Sequence, residues 1–254
     1  MIFYFSATGN SKYVAQIISE KTGEQAFSIS ESRRKGLYSF SPARGERVGF
    51  VTPVYFWGLP STVVDFMEKL SISLSGENFV YHVLTFGTTT GQAHYQMAEM
   101  LRKKGLRLEG KYIVRMVDTW TPLFNLSDTG KCLETTRAAK PRIDAVAKLV
   151  DERKGGDYDN RKFPHCFAKL YYKTYGYQRN TSHFHVISDR CIGCGLCASR
   201  CPEQAIVMEQ GLPVWTKRQC AACLGCLHRC PKFAIQYGKH TAGHGQFTNP
   251  YVKM

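Results

Sequence analysis

Eight of the ten cysteines lie between Cys191 and Cys230 and fall into two runs of identical spacing. The first is Cys191-x2-Cys194-x2-Cys197-x3-Cys201-Pro202; the second is Cys220-x2-Cys223-x2-Cys226-x3-Cys230-Pro231. This spacing holds paired 4Fe-4S clusters, with the fourth cysteine of each run serving the other cluster. Three cysteines two residues apart wrap a tight loop around three corners of a cubane. The fourth corner has to be reached from elsewhere in the chain, and the following proline turns the backbone away. One cluster would then use Cys191, Cys194, Cys197 and Cys230, and the other Cys220, Cys223, Cys226 and Cys201. The main alternative is a zinc site of Cys191, Cys194, Cys220 and Cys223. It leaves Cys197, Cys201, Cys226 and Cys230 without a role. The runs also form an internal repeat at an offset of 29, in which Arg200-Cys201-Pro202 returns as Arg229-Cys230-Pro231 and Ala205-Ile206 as Ala234-Ile235. Each unit is too short to fold without its partner or a metal.

The other residues read differently. With 43% hydrophobic and 13% aromatic residues, the 254-residue chain can bury a core, which excludes general disorder. No apolar run approaches the ~18 residues of a membrane span. Met1–Phe5 has no basic leader and reads as a strand rather than a signal peptide, so the expected location is cytoplasmic, where thiols stay reduced. Up to residue 150, short apolar runs alternate with helical periodicity, the pattern of βαβ units and a parallel sheet. Strands are expected at Ile2–Phe5, Gln25–Ile29 (weaker), Val48–Thr52, Phe79–Phe86 and Lys111–Val117. Helices between them carry Val14, Ile17 and Ile18; Val63, Phe66, Met67 and Leu70; Ala93, Met97 and Leu101; and Ile143, Val146, Ala147 and Val150. The fold class is therefore α/β, a doubly wound five-stranded parallel sheet (1–150), followed by a small α+β cluster domain (184–240). Residues 151–183 are read as a linker with a short basic amphipathic helix bearing Lys162, Lys169 and Lys173. Packing between the domains is preferred for it over lying on a membrane surface. Residues 241–254 form a Gly-rich tail. Cys132 and Cys166 are expected to be buried structural thiols.

Three loops of the first domain carry chemistry. Ser6-Ala7-Thr8-Gly9-Asn10-Ser11 joins a strand to a helix, an anion nest suited to a single terminal phosphate. It lacks the Gly-Lys-Ser/Thr ending of a triphosphate loop. Pro53-Val54-Tyr55-Phe56-Trp57-Gly58 sets three consecutive aromatics at a loop tip, either an interface or a platform for a flat ring. Thr85-Phe86-Gly87-Thr88-Thr89-Thr90-Gly91 offers hydroxyls and backbone donors. In an open α/β sheet of order 2-1-3-4-5, ligands bind at the carboxyl ends of the strands where the order reverses, and these loops follow strands one, three and four.

On these residues, 1–150 resembles a flavodoxin, residues 184–238 resemble the two-cluster bacterial ferredoxins, and the whole chain resembles the flavodoxin–ferredoxin fusion proteins of anaerobes. The resemblance implies FMN, with its phosphate on Ser6, Thr8, Gly9, Asn10 and Ser11. It places Pro53, Val54, Tyr55, Phe56, Trp57 and Gly58, with Thr85, Phe86, Gly87, Thr88 and Gly91, around the isoalloxazine. It also implies two 4Fe-4S clusters and electron transfer between them and FMN. The alternative is a dedicated FMN-dependent reductase of a small substrate, for which Tyr55, His82 and His94 are candidate proton donors, although a lone histidine is more often a satisfied surface residue. The tail, Gly243–Tyr251, is expected to fold back over the FMN side or the domain junction.

The formal charge of +14 departs from the acidic character of such families. Two oxidised clusters would contribute about −4 and an FMN phosphate up to about −2. The remainder reads as a docking surface for acidic redox partner proteins. Nucleic acid is disfavoured, because no DNA- or RNA-binding motif or Lys/Arg stripe is present. The oligomeric state is left open, a homodimer included.

Overall fold

The computed structural model describes residues 1–74 and 76–254. The first half opens with β1 (Ile2–Tyr4), α1 (Asn10–Thr22), β2 (Ala26–Ser28), α2 (Ile29–Lys35) and the short β3 (Ser39–Phe40). It continues through β4 (Val48–Pro53), α3 (Ser61–Lys69), β5 (Ser71–Ile72), β6 (Val80–Phe86), α4 (Ala93–Arg102) and β7 (Gly110–Arg115). It closes with α5 (Thr129–Ala138), α6 (Lys140–Asp151) and β8 (Gly156–Asp157). The main sheet has the order β2-β1-β4-β6-β7-β8 and every pairing in it is parallel.

The strands are nearly continuous apolar runs because both faces of the sheet are covered. Alternate residues divide between two cores. Phe3, Phe50, Leu84 and Phe86 meet Val63, Phe66 and Met67 of α3 and Met97 and Leu101 of α4. Ile2, Val51, Val83 and Val114 meet Val14 and Ile18 of α1 and Ile143, Val146 and Val150 of α6. Val48 pairs with Val80 and Pro53 with Thr85, so the loops after β4 and β6 leave the sheet side by side.

The sheet has six strands rather than five. Gly156–Asp157, in the stretch read as linker, pairs in parallel with Gly110 and Lys111. Two residues are too few to show a period, so the pairing left no apolar signature. The weak second strand also ends early: Ser28 caps α2, its hydroxyl accepting from the Glu31 N–H at 3.3 Å.

The second half begins with α7 (His165–Gln178), followed by β9 (Phe184–Val186), α8 (Leu196–Ser199), β10 (Ile206–Glu209) and β11 (Leu212–Trp215). It ends with α9 (Gly225–His228), β12 (Ile235–Tyr237) and α10 (Thr241–His244). β10 and β11 form a hairpin, and β12 pairs antiparallel with β9. Phe184, Leu227, Ile235 and Tyr237 share a small core with Cys201 and Cys220. Helix α7 joins the halves. The Tyr172 hydroxyl donates to the Leu59 carbonyl and the Tyr175 hydroxyl to the Ala221 carbonyl, both at 2.6 Å. Cys132 is buried, but Cys166 is exposed. The inward stripe of α7 runs through Ala168, Tyr172 and Tyr175, and Cys166 falls on the outer side. Among the described residues, no helix is long and apolar enough to cross a membrane.

Candidate functional site

The loop after β1 turns into α1 at Gly9, whose φ of 100° lies in the left-handed region open to glycine. No side chain caps α1, so its first-turn N–H groups keep their capacity for an anion. The Gly9 N–H donates to Ser6 Oγ at 3.1 Å, Ser11 Oγ lies 2.8 Å from Thr85 Oγ1, and Asn10 Nδ2 donates to the Val117 carbonyl at 3.1 Å. The nest is thus tied to the end of β6 and to the loop after β7.

After β4 the chain makes a two-residue hairpin. The Tyr55 N–H donates to the Gly58 carbonyl at 2.8 Å and the Gly58 N–H returns a bond to the Tyr55 carbonyl at 2.9 Å. Between them Phe56 (φ 48°) and Trp57 (φ 65°) are both left-handed. Such turns normally take Asn-Gly, and a non-glycine residue held there costs about 1–3 kcal/mol. The aromatic surroundings hold the turn. Phe56 stacks on Tyr175 with ring centroids 5.2 Å apart and meets Trp120 edge-on at 4.9 Å. Trp57 packs 4.3 Å from Tyr171 and 4.7 Å from Phe163. Gly91 accommodates this turn: a Cβ there would strike the Trp57 backbone.

These loops enclose a cavity of about 350 Å³, within the range of small-molecule and cofactor sites. Its walls include Ser6, Thr8, Asn10 and Ser11; Pro53, Val54, Tyr55, Phe56 and Trp57; and Thr85, Phe86, Gly87 and Thr88. Hydroxyls and an uncapped helix start at one side, with aromatics at the other, fit a phosphate and a flat ring. Gly9, Gly58 and Gly91 stand behind the wall: Gly9 packs against Asn249, Gly58 against Tyr172 and Gly91 against Trp57.

The cysteines sort into two further cavities. Cys191, Cys194, Cys197 and Cys230 line one, and Cys201, Cys220, Cys223 and Cys226 the other. The crossed sets read from the spacing are those the fold brings together, whereas the four-cysteine zinc set is split between the two. Backbone N–H groups of Ala205, Ala222 and Ala234 donate to Cys201, Cys220 and Cys230 sulfurs, each at 3.3 Å. Such bonds favour thiolate and tune a cluster's potential. Burial raises the Cys220 thiol to about 12 and the Cys223 thiol to about 11, so both need metal to be held as thiolates at neutral pH.

The two cavities differ in exposure. Cys194 is exposed and Cys191 half-buried, whereas Cys201 and Cys220 are buried. Ala222, Cys223 and Leu224 line the 350 Å³ cavity as well, so the second cysteine loop forms one of its walls.

Two family models match the chain, one in each half. The family model described as "Flavodoxin domain" matches residues 1–131. The chain belongs to the flavodoxin-domain family. A model described as "4Fe-4S dicluster domain" matches residues 177–235, so the chain pairs a flavodoxin domain with an iron–sulfur domain, as in flavodoxin–ferredoxin fusions. With these domains come FMN and iron–sulfur clusters, and the protein is an electron-transfer redox protein. Among solved structures, a flavodoxin of Streptococcus pneumoniae TIGR4 is 14% identical over 60% of this chain and 97% of its own, with a TM-score of 0.39. An azoreductase of Bacillus anthracis is 9% identical over 59% of this chain and 98% of its own, with a TM-score of 0.36. The rubredoxin oxygen:oxidoreductase of Desulfovibrio gigas is 15% identical over 60% of this chain, with a TM-score of 0.36, and the match spans 36% of that enzyme's length. No curated protein matches the chain.

Several residues of the flavodoxin-domain cavity have no signature in the sequence. Met116, Val117, Asp118, Thr119 and Trp120 follow β7 and line it, as does Tyr171 of α7. Burial raises the Asp118 carboxyl while a bond from the Trp120 N–H at 3.1 Å opposes the shift. The two histidines proposed as proton donors lie elsewhere. His82 is buried in β6, with Nε2 2.9 Å from Thr52 Oγ1 and Nδ1 3.0 Å from His94 Nδ1, and neither ring lines the cavity. The expectation of surface histidines fails because β6 is covered on both faces and α4 seats His94 over it. The tail folds back as expected. Asn249 N–H donates to the Thr8 carbonyl at 2.7 Å, Asn249 Nδ2 to Asn10 Oδ1 at 3.2 Å, and Phe247 N–H to His228 Nδ1 at 3.2 Å.

Proposed function

We propose that the chain passes electrons between two 4Fe-4S clusters and FMN, with the clusters in series. One observation carries this reading: Cys223 lines both the buried cysteine cavity and the cavity framed by the flavodoxin loops. When bound, a cluster exchanges single electrons and FMN exchanges one or two. Ser6, Thr8, Asn10 and Ser11 would hold the phosphate, and Tyr55, Phe56 and Trp57 with Thr85–Thr88 the ring. Cys201, Cys220, Cys223 and Cys226 would hold the cluster beside FMN. Cys191, Cys194, Cys197 and Cys230 would hold the outer one, where exposed Cys194 and Ile192 face incoming partners, acidic proteins on the charge argument.

The carrier role is favoured over a substrate reductase by the aromatic hairpin. Phe56 stacks on Tyr175 and Trp57 packs against Tyr171, and burial raises the Tyr55 hydroxyl well above its usual range. The test is anaerobic rapid mixing of the holoprotein with a one-electron donor protein, reading cluster and flavin absorbance separately. Cluster bleaching should precede flavin reduction, and Cys194→Ser should slow both while leaving FMN content intact. Flavin reduction at an unchanged rate in that variant would overturn the serial order.

A further inference from the structure

The outer face of α7 is only partly covered among the described residues: Tyr171 packs against Trp57 and Tyr177 against His183, while Phe167 and Leu170 stay exposed. Phe167, Leu170, Tyr171 and Tyr177 lie on this face at spacings of three (167 to 170), four (167 to 171) and seven (170 to 177), with Phe163 just ahead of the helix's first turn, and all five are between 40% and 68% exposed. Side chains at these spacings form one stripe of a helix. Lys169 and Lys173 are exposed beside that stripe, while Lys162 is paired with Asp157 at 2.7 Å. From residue 160 to 188 the chain has five Lys and Arg and no Asp or Glu.

We propose that this face docks on an anionic phospholipid surface. An apolar stripe flanked by lysines, on a helix lying along the protein surface, matches the interfacial helices that bury Phe and Leu at the headgroup boundary. The lysine stems extend along the apolar surface while their ammonium groups reach lipid phosphates. A second copy of this chain is the poorer occupant, because each copy would bring the same cations and no acidic group from this segment. The stripe also borders the cavity, since Tyr171 lines it and Leu123, 68% exposed, stands on its rim. Docking would bring the lipid beside the cavity wall that Tyr171 forms. This inference stands on α7 alone and is independent of the electron relay.

The test is flotation of the FMN-loaded full-length protein with vesicles. It should rise with vesicles of phosphatidylglycerol and phosphatidylcholine, stay behind with phosphatidylcholine alone, and release as salt is raised. Lys169→Glu/Lys173→Glu should weaken binding by about thirtyfold or more, at about 1 kcal/mol per cation near an anionic surface. Phe167→Glu/Leu170→Glu should abolish it. Neither pair lines the cavity, so retained flavin absorbance certifies that each variant is folded. Three results would overturn the proposal: equal flotation with neutral vesicles, flotation unaffected by Phe167→Glu/Leu170→Glu, or no flotation together with a dimer, or a complex with an acidic protein, that this double substitution dissolves.

Discussion

Phe56 and Trp57 stand where a two-residue hairpin ordinarily has Asn-Gly, and both are left-handed. Replacing Trp57 by Gly removes one strained φ and one ring from the cavity wall. Strain relief of about 1–3 kcal/mol offsets lost packing of similar size. Trp57→Gly should therefore leave the chemical-denaturation midpoint nearly unchanged while weakening FMN binding at least tenfold, read by flavin fluorescence. A weaker fold with unchanged affinity would make the turn structural. The buried histidines bear on pH. Burial lowers His82 well below its usual value, with His94 adding to the shift, and lowers His94 to about 3. Both stay neutral in the folded protein and gain protons on unfolding, so the unfolded state binds more protons below about pH 6.5. Stability should fall as pH drops from about 6.5 toward 3, by up to about 1.4 kcal/mol per pH unit for each histidine. Comparing wild type with His82→Phe/His94→Leu at pH 7.5 and 5.5 isolates this from cluster loss, and the variant should show the shallower pH dependence. Both features were hidden in the sequence, because φ leaves no trace in residue spacing and a histidine in a strand does not declare its burial. The cluster ligands were legible because their spacing is itself the chemistry.

The repeated cysteine unit shows how one element diverges toward a neighbour. Gly193 and Gly195 take positive φ in the first loop, and at the offset of 29 Ala222 and Leu224 take it in the second. Glycine would be the low-cost choice at both positions, yet Ala222 and Leu224 each put a side chain on the cavity wall. The loop after β7 escaped the sequence reading for a related reason: Asp118 and Trp120 face the cavity only because β7 ends beside β6. The tail shows the same dependence on assembly, a polar Gly-rich segment that becomes ordered against the phosphate loop. Asn249 bonds Thr8 and Asn10, and Tyr251 stacks on Tyr13 with centroids 5.2 Å apart. Removing residues 248–254 should weaken FMN binding about tenfold or more, at about 1 kcal/mol per lost bond. Iron content should be unchanged, since Gln246, which bonds the Leu227 and Cys230 carbonyls, is retained. Equal loss of flavin and iron would mean that the tail holds the fold rather than the loop.

At the scale of the whole molecule, the flavodoxin domain and the cysteine unit are clamped by one acidic residue. Glu203, two positions after Cys201, pairs with Arg33 of α2 at 3.1 Å and accepts from Thr62 Oγ1 of α3 at 2.5 Å. Arg33 also donates to the Pro202 carbonyl at 3.1 Å and pairs with Asp65 at 3.0 Å. Both side chains of the pair are largely shielded from water, with 16% and 11% of their surface exposed. Removing Glu203 leaves Arg33 with Asp65 and the Pro202 carbonyl, so the cost should fall below the roughly 3–5 kcal/mol of an unpaired buried charge. The clamp lies next to the loop that forms the cavity wall, so its geometry sets how closely the buried cysteine cavity and the flavodoxin loops are held. Glu203→Ala should keep the FMN and iron content of the folded fraction while slowing cluster-to-flavin transfer about tenfold or more in the rapid-mixing experiment. Arg33→Lys, which retains a cation but loses the fork of donors, should fall between Glu203→Ala and wild type. Loss of stability with no change in transfer rate would confine the clamp to folding. A parallel fall in both would make the register of the two domains the quantity on which the relay depends.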